Sequence, residues 1–347
     1  MNQVNYLISK IVVYNIKKEV IFSGQEGMAS SNTSTRRFTS RRTASPPPLA
    51  FQRLNEAFTD LTEGGRKPKA PDVVVETKSA SVSSILHMKD VEVVSDIGKR
   101  PYMEDVSLTS KINDRFYTAF VFDGHNGSRA STYLRDALGK YLPKLLTKEI
   151  DGALLPSVLR NIFDKLGKDF KKKKWIDGST ISGVIIDLFN GNFHIITLGD
   201  SQTLIMGLQG KVNYISHRDS TDILEERQRV ARCGFKIEKE NASSMWRLYG
   251  LNMTKAFGNY HTDKLDEALQ KTNGRVPHIH TMELPKGQQN ATILIASDGL
   301  FDEVSPEHIA DVPLLRKMTP ARLLSVVMAD GFKGDNCTII KLVVSRK

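Results

Sequence analysis

Seven carboxylates occupy comparable places along this chain: Glu104, Asp105, Asp123, Asp200, Asp298, Asp302 and Asp335. They lie at the ends of apolar runs or in the adjoining turns, with Asp302 one helical turn beyond Asp298. One Asp in such a place is ordinarily a turn or helix-cap residue. Seven pose a different problem, because convergent carboxylates repel one another severely unless cations neutralise them. A set of hard oxygen ligands, with no Cys and no close His pair, suits Mg2+ or Mn2+ better than Zn2+. His278 and His280 could share one face of a strand, but that spacing alone reads as surface.

Elements able to hold such a set are legible from periodicity. Alternating apolar residues at Val91, Val93 and Ile97, then Val106 and Leu108, lead into the buried run Phe116 to Phe122, which Asp123 closes. A helical face follows at Ala130, Tyr133, Leu134, Ala137, Leu138, Tyr141, Leu142 and Leu145, with Ser128 as N-cap and Pro143 near the end. A second amphipathic helix covers Ser157 to Phe170. Gly183 to Phe189, a turn at Asn190-Gly191 and Phe193 to Leu198 read as a hairpin ending in Gly199-Asp200-Ser201, and Thr203 to Leu208 reads as a further strand.

Ser220 to Arg232 reads as a helix capped by Ser220 or Thr221 and stopped by Gly234. Residues 235–280 are polar and weakly periodic, which predicts a flap or irregular excursion. Ala291 to Ala296 is a buried strand running into Ser297-Asp298-Gly299. A helix from Pro320 to Ala329 and a strand from Cys337 to Val344 complete the chain. Strands, a helix pair and more strands predict an α+β protein whose helices lie on mainly antiparallel sheets.

Of the net charge of +10, residues 1–84 carry +5 with twelve Lys and Arg against seven acids. From Gly27 to Asn55 there is no acid, while Ser, Thr, Pro and five arginines crowd together. That composition cannot bury enough apolar surface to offset ordering entropy, so 1–84 reads as a basic, largely disordered extension of the domain at 85–347. Organelle targeting, anion or nucleic-acid binding, nuclear import and phosphorylation by basic-directed kinases are its alternative uses beside that of a plain solvated tail. Met28 offers a second start. Lys171 to Lys174 reads as a solvated helix end. No apolar run is long enough for a transmembrane span, and two unpaired cysteines, Cys233 and Cys337, read as small core residues of a protein in a reducing, intracellular compartment, cytoplasmic or nuclear.

The sequence resembles the metal-dependent protein phosphatases of type 2C. The segments that carry the likeness are Arg100-Pro-Tyr-Met-Glu104-Asp105, Asp123-Gly-His-Asn-Gly127, Gly178-Ser-Thr180, Gly199-Asp-Ser201, Met253-Thr-Lys-Ala-Phe-Gly258, Ser297-Asp-Gly-Leu-Phe-Asp302 and Asp335-Asn336. Each is a weak signal alone, but they follow the family's order from about Ile85 onward. The resemblance implies a four-layer α-β-β-α sandwich of two mainly antiparallel sheets with a binuclear metal centre at one edge. It implies two Mg2+ or Mn2+ ions, with a weaker third, and a serine/threonine protein phosphatase acting on phosphoprotein substrates through a metal-activated water. The alternative is a pseudophosphatase, a binding module that keeps the fold. A monomer is expected.

Carried over by residue, Asp123 would bridge both ions and Asp298 and Asp335 would complete one of them. The carbonyl of Gly124 and, through water, Glu104 would serve the other, with Asp105 in the same hydrated shell. Asp200, Asp298 and Asp302 would resemble the third site. Arg100 matches the family's phosphate-binding arginine, and His125 its general acid. The chain departs from the pattern at Asn126, Gln202, Ser216 and Asn259, where the family usually has Gly, Arg, an acid and Asp. Asn126 tolerates left-handed backbone better than most residues.

Overall fold

The computed structural model describes residues 84–207, 210–239, 241, 244–329 and 334–347; apart from Ser84, the extension read at 1–84 lies outside them. In chain order the strands are β1 (Leu86–Asp96), β2 (Val106–Lys111), β3 (Phe116–Phe122), β4 (Gly124–His125), β5 (Gly178–Ser179), β6 (Ile181–Asp187), β7 (Asn192–Leu198), β8 (Gln202–Met206), β9 (Val212–Ile215), β10 (Phe257–Gly258), β11 (His278–Glu283), β12 (Asn290–Ala296) and β13 (Cys337–Arg346). The helices are α1 (Arg129–Leu145), α2 (Leu155–Lys171), α3 (Leu224–Arg232), α4 (Asp263–Lys271), α5 (Asp298–Phe301), α6 (Pro306–Asp311), α7 (Pro313–Lys317) and α8 (Pro320–Val327).

Two five-stranded sheets, ordered β1-β13-β12-β8-β9 and β11-β7-β6-β3-β2, pack face to face. Their inner faces supply Ala119, Val121, Val184, Ile186, Phe193 and Ile195 from one side and Ile205, Ile293, Ile295, Ile340, Leu342 and Val344 from the other. These residues alternate along their strands, as a face buried against another sheet requires. α1 and α2 cover the outside of one sheet, and α5 and α8 that of the other, which gives the four layers. A short third sheet, β10-β5-β4, stands beside them.

Antiparallel register places the acids. Val106 pairs with Phe122, so the start of β2 lies beside the end of β3. Ala296 pairs with both Gln202 and Ile339, which sets the end of β12 between the starts of β8 and β13. Glu104, Asp105, Asp123, Asp200, Asp298 and Asp335 lie within two residues of those strand ends. The sheets are tied together near this edge by hydroxyl pairs, Thr180 with Ser201 at 2.7 Å and Ser182 with Thr203 at 2.9 Å.

Several local readings are corrected. α3 begins at Leu224 with Ile223 at the cap position and no side-chain cap; Ser220 and Thr221 instead bond across to the Asn252 carbonyl. An isolated bridge between Ser220 and Met253 draws them away from a capping position. Ser128 holds the N-cap position of α1, but the Arg129 N–H is met by buried Asp177, at 3.2 Å. Within 235–280 the chain builds α4 and a small core of Phe235, Leu248, Leu251, Met253, Leu265, Ala268 and Leu269. Those residues are too scattered to show a period. Cys337 is buried, but Cys233 is exposed rather than part of the core.

Candidate metal centre

Asp123 leaves the end of β3 with its backbone held from both sides: its N–H donates to Thr180 Oγ1 at 3.1 Å, and its carbonyl accepts the Thr180 N–H at 2.8 Å. Asp200 sits in the turn between β7 and β8, after Gly199 with its positive φ of 100°. Asp298 is the first residue of α5, where the helix start favours an anion. One carboxylate oxygen from each of these three lies within 4.8 Å of the others.

Around this triad the other sequence-predicted acids are each held by a partner. Asp105 is buried and accepts the Ser297 hydroxyl at 2.7 Å. Glu104 accepts the Gly127 N–H at 2.5 Å, and its carbonyl takes the Ser131 hydroxyl and the Gly124 N–H. Asp335 accepts a guanidinium N–H of Arg100 at 2.5 Å, on an arginine whose side chain is 56% exposed. Asp302 is paired with Arg218. Glu104, Asp302 and Asp335 therefore stand at the rim of the triad, while Asp105 is buried beside Asp123.

The triad is electrostatically costly as a bare set. Burial, and then the charges of Asp298, Asp105, Asp200 and Asp335, push the Asp123 carboxyl well above its ordinary range. Burial followed by Asp200, Asp302 and Asp335 does the same to Asp298. Asp200 is raised to about 7, chiefly by burial with Arg218 opposing, and Asp105 to about 6, again chiefly by burial. Both carboxylate oxygens of Asp200 and Oδ1 of Asp105 are buried without a hydrogen-bond partner. Acceptors of this kind, clustered and unsatisfied, fit hard divalent cations.

His125 is held elsewhere. Its Nε2 lies 2.9 Å from Asn259 Oδ1, and its Nδ1 is buried without a partner. A Cβ at Gly178 would stand 2.1 Å from Asn259 Oδ1 and 2.2 Å from His125 Nε2, so only glycine leaves room for this contact. Burial lowers the His125 pKa, with the Asn259 contact and Asp177 opposing. Asn126 has φ of 58° and Asn259 φ of 53°, both in the left-handed region that Asn tolerates.

Three sets of contacts were not read from the sequence. Arg218, largely buried, brings a cation against Asp302 and close to Asp200 and Asp298. Asn336 ties the segment 97–104 to the start of β13: its Nδ2 donates to the Ile97 and Tyr102 carbonyls at 2.8 and 3.0 Å, and its Oδ1 accepts the Glu104 N–H at 2.8 Å. Neither is announced by local pattern, since the partners are far away in the chain. The third is a His-Asp-His cluster at His217, Asp219 and His278, of which the spacing His217-x-Asp219 in an extended stretch was the available signal.

Residues 98–324 match the sequence model of the family Protein phosphatase 2C, and the chain belongs to that family. It is 31% identical over 258 residues to "Probable protein phosphatase 2C 7" of Oryza sativa subsp. japonica, covering 70% of this chain and 62% of that protein. It is 27% identical over 267 residues to "Protein phosphatase 1L" of Bos taurus, covering 72% of this chain and 71% of that protein. The chain spans only 62% and 48% of two rice relatives it matches. Among solved structures, a serine-threonine phosphatase 2C from Toxoplasma gondii superposes with a TM-score of 0.57 at 18% identity, over 74% of this chain and 95% of that one. A C. elegans sex determining protein superposes with a TM-score of 0.58 at 21% identity, over 75% and 65%. These two likenesses concern the fold.

Proposed function

We propose that this chain is a Mg2+- or Mn2+-dependent protein serine/threonine phosphatase. The observation that carries the reading is the convergence of Asp123, Asp200 and Asp298 at one edge of the fold, three carboxylates whose pKa values are raised first by burial and then by neighbouring acids. Asp123, Asp298 and Asp335 would hold one ion, Asp123 with the Gly124 carbonyl and Glu104 the other, and Asp200 with Asp302 a weaker third. Two such ions, when bound, supply charge neutralisation, polarisation of phosphate oxygens and a water acidic enough to act as nucleophile near neutral pH.

The chain's own groups do the rest. Arg100 stands at the rim, where its planar fork suits a phosphate dianion. His125 is the proton donor for the leaving alkoxide. With Asn259 Oδ1 accepting from Nε2, Nδ1 takes the second proton; the Asn259 contact and the Asp177 charge favour the protonated ring, and burial outweighs both. His125 is therefore a donor best suited to mildly acidic conditions. Thr180, Ser201 and Asn336 keep the acid-bearing turns in register.

Intracellular residence rests on two unpaired cysteines. Among the described residues no helix is long and apolar enough to cross a membrane. Phosphoserine and phosphothreonine proteins are the substrates this site fits. The test is phosphate release by the full chain from a phosphothreonine peptide, with Mn2+ or Mg2+ and with EDTA. Turnover that needs the cation supports the proposal. Ion binding without turnover makes the protein a pseudophosphatase.

A further inference from the structure

A second group of metal-ligating side chains lies outside the acid triad. His217 and Asp219 follow β9, and His278 opens β11. His278 Nε2 is 2.8 Å and His217 Nε2 3.6 Å from the same oxygen, Oδ1 of Asp219, and the three ligand atoms lie within 4.8 Å of one another. Four-coordinate ions with bonds of about 2.0 to 2.1 Å place their ligand atoms roughly 3.3 Å apart, a spacing that the two measured separations bracket. The imidazole rings are 5.0 Å apart between centroids and inclined at 60°, so they approach the carboxylate from different directions.

The site is rigid on one side and open on the other. The Asp219 side chain is fully buried; its Oδ2 accepts the Gly199 N–H at 3.0 Å and its backbone N–H donates to the Gly199 carbonyl at 2.9 Å. Thr254 donates its own N–H to the Asp219 carbonyl at 2.7 Å. One carboxylate oxygen is thus committed to the fold and the other is aimed at the two rings. Those rings are 44% and 38% exposed, which leaves an entry path and room for water to complete the coordination.

Neighbouring charges are mixed. Glu226 Oε1 lies 3.4 Å from His217 Nε2, while its carboxylate is engaged by Arg229 and the Thr254 hydroxyl. Lys255 is the cation close to Asp219, and burial disfavours its charge. His280, two residues along β11, takes no part, since it stacks on Tyr214 at 4.5 Å.

Two imidazoles and one carboxylate with an open face are a donor set for borderline divalent ions, whereas the acid triad is a set for hard ones. We propose that His217, Asp219 and His278 form a separate site for a cation of the Zn2+ class. It is joined to the catalytic edge through the Gly199 peptide, whose next residue is Asp200.

The test is a titration of the full chain, held in saturating Mg2+, with Co2+ as probe. Visible absorption reports its ligand field, and circular dichroism checks the fold of each variant. The proposal expects one equivalent of Co2+ retained against Mg2+ with a nitrogen-and-oxygen spectrum. His278→Ala and the milder His278→Gln should each weaken binding tenfold or more. Asp298→Asn and His280→Ala should leave it within about twofold. No retained Co2+, binding unchanged in both folded His278 variants, loss in Asp298→Asn, or a thiolate charge-transfer band from Cys233 would overturn it.

Discussion

At the scale of single residues, His125 has an amide oxygen, that of Asn259, against its ring. An acid beside a histidine stabilises imidazolium and raises the pKa, whereas an amide contributes only its dipole. Burial already lowers the His125 pKa. A proton donor works in its charged form, so the rate should fall as pH rises through that lowered value. Asn259→Asp should restore the carboxylate and move the alkaline limb of kcat against pH upward, by about one unit or more. An unmoved limb in a folded variant would separate His125 from proton donation. Asn259 also has a positive φ, which Asp tolerates nearly as well, so the substitution is a fair one.

At the scale of elements, the centre depends on strand ends being fastened to loops. Asn336 makes three hydrogen bonds, to Ile97, Tyr102 and Glu104, and so binds the segment carrying Arg100 and Glu104 to the strand start carrying Asp335. Asn336→Ala should cost about 2 to 3 kcal/mol in urea unfolding and weaken Mg2+ binding in calorimetry. Stability equal to wild type would mean that the loop is held by something else. Strands β3, β7, β12 and β13 were legible because alternating or continuous apolar runs end in sharp polar turns. α4 and the small core around it were not, because Leu248, Met253 and Leu265 gain their meaning only from one another. Asp177 capping α1 from a distance, and Arg218 reaching Asp302, are likewise facts of register rather than of local sequence.

At the scale of the whole molecule, two sheets bring acids from five connections to one edge, and the fold bears the electrostatic cost. The sign follows from the raised carboxyls. Asp105 and Asp200 titrate near 6 and 7 in the folded chain and near 3.9 when unfolded. The unfolded state then releases protons first, and stability present below about pH 4 is lost as pH rises toward 7. Bound cations remove the penalty. The gap in Tm between Mg2+-loaded and chelated protein should therefore widen from pH 5 to pH 8. Asp200→Asn should narrow it by stabilising the chelated form, on the order of a few kcal/mol at about 1.4 kcal/mol per pKa unit. A gap independent of pH would mean that the acids are not the seat of the cations.

The membership of the chain in its family and the places of the acids were readable before the fold. Their convergence was implied by the resemblance and not by periodicity, since Asp123 and Asp298 lie 175 positions apart in number and meet only through antiparallel pairing. The most direct measurement is phosphate release from a phosphothreonine peptide during a Mn2+ titration, on wild type and Asp298→Asn side by side. The account predicts saturable, EDTA-sensitive turnover in wild type and a loss of roughly 1,000-fold or more in the variant, equivalent to about 4 kcal/mol of barrier. Turnover in wild type without a divalent cation, or undiminished turnover in Asp298→Asn, would contradict it.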